Sequence, residues 1–175
     1  MKTKIALAAI ISILLISTSH GLQSEKTEFQ IQAEKQKAAM DDVLTIAIPL
    51  TDFITDGYTY PEQNGSFDEN SKIYMTVCPF YMKTLPIKDP WGNNYLIFCG
   101  KAGNGQYGLS ECVEDDVVIV CLGMDGKKES WEFDFSDPEA GIFKTNALND
   151  FNKDLVNWSG SWIRAPGELL EEIPR

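Results

Sequence analysis

The feature that most constrains the fold is a long apolar stripe between residues 27 and 55. Apolar side chains recur there at spacings of three and four residues, whereas most charged residues fall outside the series, as expected for one face of an α-helix. Pro49 removes one backbone donor, so we expect a kink or a break there. Asp56-Gly57 is expected to end the helix, because glycine commonly follows a helix C-cap. The stripe consists of Met40, Val43, Leu44, Ala47, Leu50 and Ile54.

Short apolar segments separated by turn residues follow the helix. Residues 58–86 contain several prolines and an Asn-Gly pair, which is typical of an irregular connection with a short helix or an extended piece. Strands are predicted over 94–99, 106–111 and 117–122, and the last is apolar enough to be a buried strand. The expected fold class is α+β, with an N-terminal amphipathic helix packed on a small antiparallel sheet of about three or four strands.

The C-terminal segment shows the helical spacing again. Thr145 is a suitable N-cap for a helix that starts there. The pattern predicts an amphipathic helix over 145–162, which packs on the sheet or docks on a partner. The chain then divides into 1–21, 22–143 (an α+β domain) and 144–175 (a C-terminal helical extension). The apolar residues of this second stripe are Leu148, Phe151, Leu155, Trp158 and Trp162.

Residues 1–21 have the layout of a secretory signal peptide. Lys2 and Lys4 precede an apolar run over 5–16, and small and polar residues follow it. A spanning helix needs roughly 20 apolar residues, so a cleaved signal is favoured over a retained N-terminal anchor. We therefore expect an exported protein, periplasmic or secreted.

Removal of that segment would leave a strongly acidic chain without histidine. The net charge would move from −11 to −13, because Lys2, Lys4 and no acidic residue are lost, and His20 is the only histidine. Imidazole-dependent nucleophile pairs are disfavoured, and so are zinc sites, which usually use histidine or clustered cysteines. Two carboxylates can hydrolyse a glycoside, but no pair stands out, so we expect no enzyme. The charge also argues against nucleic-acid binding.

The four cysteines form no C-x-x-C pair, so they do not indicate a metal or redox motif. They are Cys78, Cys99, Cys112 and Cys121. Because exported chains meet oxidising surroundings, we expect one or two disulfides. Four cysteines allow three pairings, and the sequence does not choose among them.

Three segments occur in an order that is typical of a known family. They are "DVLTIAIPLTDFITDGYTYP" at 42–61, "LPIKDPWGNNYLIF" at 85–98 and "VCLGMDGK" at 120–127. Together they resemble the periplasmic part of the major pseudopilin of type II secretion systems, the type II secretion protein G family. The resemblance covers roughly residues 30–142, and Asp-Pro-Trp-Gly-Asn at 89–93 is its most specific piece. The family's F-T-L-I-E start, with its long apolar assembly helix, does not occur here.

The resemblance implies a pseudopilin-like head that performs no catalysis. Its partners would be proteins of a secretion or pilus-type assembly, or further copies of itself, with membrane contact only if the N-terminal segment is retained. In this interpretation Trp91 is an apolar plug across the base of the long helix, in a structural turn. The alternative is a soluble ligand- or carbohydrate-binding module that reuses the fold, with Trp131, Trp158 and Trp162 as a stacking platform.

The family's calcium site lies in the acidic loop after the last strand. The resemblance therefore implies a bound calcium ion, which needs six to eight oxygen ligands. Asp125 matches the family's Asp-Gly aspartate, and Leu122 matches a residue that offers its carbonyl. Asp134 and Asp137 are the nearest substitutes for the remaining acidic ligand. The alternative is a solvated acidic loop in which Asp125 only shapes a turn.

Overall fold

The computed structural model describes residues 26–171, so the predicted signal peptide lies outside the described residues. One long helix packs on a mixed six-stranded sheet. The α+β class is therefore confirmed, but the predicted number of strands, three or four, is wrong. Within residues 26–171 no helix has both the length and the apolar character needed to cross a membrane.

The strands lie in the order β1-β2-β3-β5-β6-β4 across the sheet. All neighbouring strands are antiparallel except β4 and β6, which pair in parallel. The helices are α1 (Glu28–Thr55), α2 (Lys72–Val77) and α3 (Gly167–Leu170). The strands are β1 (Asn64–Ser66), β2 (Leu96–Cys99), β3 (Val117–Cys121), β4 (Ile142–Phe143), β5 (Leu155–Trp158) and β6 (Ser161–Pro166).

Helix α1 begins and ends with local capping motifs. At its start, the Thr27 hydroxyl accepts a hydrogen bond from the Gln30 amide, and the Gln30 side chain accepts one from the Thr27 amide, which is a capping box. The prediction for Pro49 was a kink or a break, and the helix continues through this residue without a break. It ends at Thr55, with Gly57 at a φ of +85°, as the Asp-Gly pair predicts.

The predicted C-terminal helix over 145–162 is wrong, because β5 and β6 form a hairpin there. Ser159 and Gly160 occupy its two-residue turn with φ values of +47° and +89°, and two positive φ values are the mark of a type I′ turn, whose twist suits a hairpin. Strand β5 pairs with the buried strand β3, so this segment joins the sheet instead of forming a helical extension. The local spacing of three and four was overridden by pairing with β3.

The predicted strand over 106–111 is also wrong. Tyr107 and Gly108 have φ values of +48° and +75°, which are incompatible with an extended strand. The Gly105 amide donates to the Leu109 carbonyl at 2.7 Å, which closes a compact turn. The other two predicted strands are present as β2 and β3, and β1 and α2 lie in the connection that was expected to be irregular.

The sheet is buried on both faces, and β3 has no exposed residue. Side chains alternate along a strand, so Val117, Ile119 and Cys121 pack towards α1, whereas Val118 and Val120 face the opposite side. The helix-side core adds Ala39, Met40, Val43, Ile46, Ala47 and Leu50 from α1. On the opposite side, which we call the loop-side core, Tyr107, Leu109, Cys112, Trp131 and Phe133 cover the sheet.

Candidate functional site

The turn at residues 89–93 is built around the buried carboxylate of Asp89. One of its oxygens accepts hydrogen bonds from the amides of Trp91 and Asn93, both at 2.9 Å. Gly92 has a φ of +97°, a value that glycine adopts without strain. The Trp91 indole packs on the helix-side core and donates to Gln32 of α1 at 2.6 Å. Trp91 therefore fixes the turn to the long helix, and its hydrogen bond reaches α1 at Gln32.

The same turn contacts the loop that follows β3. The Asn93 side-chain amide donates to the Gly123 carbonyl at 3.0 Å. At Gly126 a β-carbon would come within 2.5 Å of the Asn93 side-chain oxygen, so a larger residue there would push the Asn93 side chain aside. Two of the three segments that carry the pseudopilin resemblance therefore touch each other in the structure.

The four proposed calcium ligands lie in two local turns. Asp125 accepts a hydrogen bond from the Lys127 amide at 3.0 Å. Asp134 accepts from the Ser136 amide at 2.8 Å, and its carbonyl accepts from the Asp137 amide at 3.1 Å. No group of three or more acidic, histidine or cysteine side chains able to hold a metal ion occurs in residues 26–171. Neither this finding nor the local hydrogen bonds test a set that includes the Leu122 carbonyl, so the calcium prediction stays a prediction.

The four cysteines are free thiols in the structure, and all four are buried. Burial raises the pKa of each thiol, to about 12 for Cys99. A thiol with a raised pKa carries little thiolate and is a poor nucleophile. The structure gives no pairing among the cysteines, so the disulfide prediction stays a prediction.

A buried carboxyl group contacts Tyr107 of the loop-side core. Asp154 is fully buried and accepts hydrogen bonds from the Tyr107 hydroxyl and, at 2.8 Å, from the Glu129 amide. Burial is the main cause that raises the pKa of Asp154 to about 6. A raised carboxyl pKa can mark a catalytic acid, but this side chain has no exposed surface at which a substrate could reach it.

Glu129 extends this cluster to β6. Its carboxylate accepts two hydrogen bonds from the Arg164 guanidinium, at 2.6 and 3.1 Å. The guanidinium lies 5.0 Å from the ring centres of both Trp131 and Phe143. Each member of this cluster is held by its neighbours, which is the arrangement of a structural network.

The three tryptophans proposed as a stacking platform do not share one surface. Trp162 packs against the helix-side core, whereas Trp131 and Trp158 pack against the loop-side core. All three are half-buried. The spacing of Trp158 and Trp162 suggested one helical face, but the β5–β6 hairpin separates them.

A group of exposed aromatic residues lies at the C-terminal end of α1. The Tyr58 amide donates to the Phe53 carbonyl at 3.3 Å, and the Gly57 amide donates to the Ile54 carbonyl at 2.9 Å. These two bonds form a Schellman motif, in which an apolar contact commonly joins the residues equivalent to Phe53 and Tyr58. Their rings stack here with centres 5.0 Å apart. The helix cap thus sets the position of Tyr58.

The segment after α2 completes this surface, which we call the helix-end patch. The Tyr81 hydroxyl donates to the Asp56 carboxylate at 2.7 Å, and this bond is the main cause that raises the pKa of Tyr81 to about 12. Phe80 is 84 % exposed and Tyr58 is 57 % exposed. The pocket between them has a volume of about 520 Å³ and is lined by Phe53, Asp56, Tyr58, Thr76, Phe80 and Tyr81.

The helix-end patch did not emerge from the sequence, although part of the signal was present. The Asp-Gly pair predicted the helix cap, and an aromatic residue directly after such a cap is expected to stack on the helix. Phe80 and Tyr81 come from a separate segment, and nothing local indicates that they meet Asp56.

We compared the chain with protein-family models, curated proteins and solved structures, and none of them matches it.

Proposed function

We propose that this chain is a non-catalytic exported protein that acts through protein–protein contacts. The observation that carries the proposal is the helix-end patch, where Phe80 and Tyr58 expose aromatic rings to solvent. Large exposed aromatic side chains grouped around a pocket are typical of interaction sites, because they bury much apolar area on binding. Asp154 and the four thiols, whose pKa values are raised, are all buried, which supports a structural role for them.

We further propose that these contacts occur in or near a type II secretion or pilus-type apparatus. The resemblance at residues 42–61, 85–98 and 120–127 supports this part of the proposal. The contact between Asn93 and Gly123 gives a physical reason why two of those segments occur together. A shared fold alone would not establish a shared function, so the partner has to be identified by experiment.

Affinity capture with patch variants tests the proposal. The full-length chain is expressed with a C-terminal affinity tag in the cells that naturally produce it, and bound proteins are identified by mass spectrometry. Tyr58→Ala/Phe80→Ala should lose the specific partners, whereas Leu148→Ala, at a position that is 43 % exposed, should keep them. Identified secretion or pilus components would support the apparatus. Equal capture by both variants would contradict a role for the patch.

Calcium binding is a separate part of the proposal. If Asp125 and the Leu122 carbonyl hold calcium, Asp134 or Asp137 supplies the remaining acidic ligand. Calorimetric titration of the full chain should then release heat, and Asp125→Asn should abolish it. A chain that gives neither heat nor a rise in Tm at millimolar calcium would show that the loop binds no calcium.

A further inference from the structure

The helix-end patch combines aromatic rings with a carboxylate, and this combination indicates the chemistry of its partner. Phe53 and Tyr58 stack with an angle of 15° between their rings, and Tyr81 meets Phe53 edge-on at 5.7 Å. This arrangement leaves the Phe80 ring free, and it turns an outer face of Tyr58 to solvent. Aromatic faces attract cations through the ring quadrupole, most strongly where water is partly excluded.

The charges around the pocket favour the same kind of ligand. One oxygen of Asp56 accepts the Tyr81 hydrogen bond, and the structure shows no bond to the other oxygen from any described residue. Asp52 lies one turn earlier on α1, and the last turn of α1 carries no basic residue. Because a helix C-terminus carries partial negative charge, cations are stabilised there. Among the described ion pairs none involves Asp52 or Asp56.

We propose that the helix-end patch binds the positively charged side chain of an arginine or lysine in a basic segment of a partner protein. This inference rests on the proposed function, because it names the partner chemistry of the same surface. The cation would stack on Phe80 or Tyr58 and bond to the free oxygen of Asp56. A guanidinium can do both at once, because it is planar and presents several donors.

The net charge selects this occupant over a second copy of the chain. Each copy carries a formal charge of −11, so two copies repel each other and a basic partner is attracted. Arg164, the arginine within the described residues, is buried against Glu129, so another copy offers no guanidinium from those residues. Its lysines belong to a strongly acidic chain, so the overall repulsion still disfavours a second copy.

Peptide binding to the ¹⁵N-labelled full-length chain tests the inference. Short Gly-Ser peptides carry arginine, lysine or citrulline at identical positions, and amide shifts are followed by NMR. Citrulline keeps the shape of arginine but has no charge. The arginine and lysine peptides should shift amides at residues 53–58 and 76–81, and the citrulline peptide should leave them unchanged. Added salt should weaken the binding.

Two variants with remote controls sharpen the result. Asp56→Asn should weaken arginine-peptide binding about tenfold, equivalent to about 1.4 kcal/mol, and Phe80→Ala should weaken it further. The matched controls, Asp115→Asn for the charge and Phe135→Ala for the ring, should bind as the unchanged chain does. All variants must first show the native circular dichroism spectrum.

The outcomes separate this inference from the proposed function. Equal shifts with the citrulline peptide, or no shift at the patch at millimolar peptide, would overturn the cation site. If the cation site fails but patch variants still lose partners in affinity capture, the docking function stands and its partner chemistry differs. If the cation site fails and the patch variants also keep all their partners in affinity capture, the proposed function fails as well.

Discussion

The two faces of the sheet are covered in different ways. On the helix-side core, α1 contributes apolar side chains such as Val43, Ile46 and Leu50, all fully buried. On the loop-side core, irregular segments supply Tyr107, Leu109 and other residues, and hydrogen-bonded charged groups lie among them. One sheet thus has a core that is mainly apolar on one side and a mixed apolar and polar core on the other.

The difference follows from the backbone. Within a helix the backbone amides and carbonyls form hydrogen bonds with each other. The side chains on the buried face are therefore not needed as hydrogen-bond partners and can all be apolar. Irregular segments must find other partners for their buried amides and carbonyls, and side chains supply them here. Asp154 accepts the Glu129 amide, and Asn104 both accepts from the Cys112 amide and donates to its carbonyl, at 2.8 and 3.1 Å. A sheet covered by loops therefore needs specific polar side chains that bond to the buried backbone groups, whereas a sheet covered by a helix needs only a stripe of apolar side chains.

The largest effect is expected from truncating the helix-side core. Leu50→Ala should lower the free energy of unfolding by about 3 to 5 kcal/mol, because it removes fully buried methyl groups and leaves a cavity. Ile48→Ala is the control on the same helix, at a side chain that is 58 % exposed, and should cost under about 0.5 kcal/mol. Urea unfolding followed by circular dichroism measures both. Similar costs would mean that α1 does not pack on the sheet through this stripe.

A somewhat smaller effect is expected from breaking the ion pair of the loop-side core. Glu129→Ala should cost about 2 to 3 kcal/mol, because it leaves the Arg164 guanidinium buried without its partner. The double variant Glu129→Ala/Arg164→Met should recover part of that loss, because no unpaired charge remains. The same urea experiment, extended to the single variant Arg164→Met, gives the coupling energy of the pair. A coupling energy near zero would show that the pair does not hold the loop side to β6.

The third prediction concerns pH, and its sign follows from Asp154. The folded protein raises this carboxyl pKa to about 6 from an ordinary value of 3.8, so folding favours the protonated form. The free energy of unfolding should therefore fall by roughly 2 kcal/mol as pH rises from about 4 to 7. Tyr107, Glu129 and Asp125 surround this group.

Asp154→Asn should remove most of that slope, and Asp150→Asn should leave it in place. Burial also raises the pKa of Asp42, which contributes a pH dependence of the same sign. Lys153 is the main cause that lowers the pKa of Asp150 to about 2, so Asp150 stabilises the fold above its ordinary pKa and loses this contribution only in more acidic solution. Urea unfolding at a series of pH values measures the slope. If the free energy of unfolding of Asp154→Asn keeps the same dependence on pH, another group causes that dependence.

The smallest effect on stability is expected at the helix-end patch. Phe80→Ala should change the free energy of unfolding by under about 0.5 kcal/mol, because the ring is 84 % exposed. Phe53→Ala, at a side chain only 6 % exposed, should cost several times more. Thermal unfolding measures both. A large cost at Phe80 would mean that this ring supports the fold instead of being available to a partner.

Sequence reasoning succeeded where a signal is local and periodic. The stripe of α1 repeats over several turns, and Asp56-Gly57 marks its end. The buried strand β3 is a continuous apolar run, and the turn at 89–93 contains the residues that its hydrogen bonds require. Each of these features is specified by residues that are close together in the chain.

The loop-side core could not be found in this way, because its partners are distant in sequence. Tyr107 and Asp154 lie 47 residues apart, and nothing near either residue indicates the other. The β5–β6 hairpin was missed for a different reason, since Leu155 and Trp158 fit a helical spacing as well as a strand. The Ser159-Gly160 pair, where both residues have positive φ values, was the local signal for a hairpin turn.

Site-specific photocrosslinking tests the central claim, that the helix-end patch is the contact surface of this protein, most directly. A photoreactive phenylalanine analogue replaces Phe80 in the patch, or Phe135 on the loop side, which is 44 % exposed. The full-length variants are irradiated in the cells that naturally produce the protein. The account predicts crosslinks to a partner protein from position 80 and few or none from position 135. Crosslinks only from position 135, or equal yields from both positions, would contradict it.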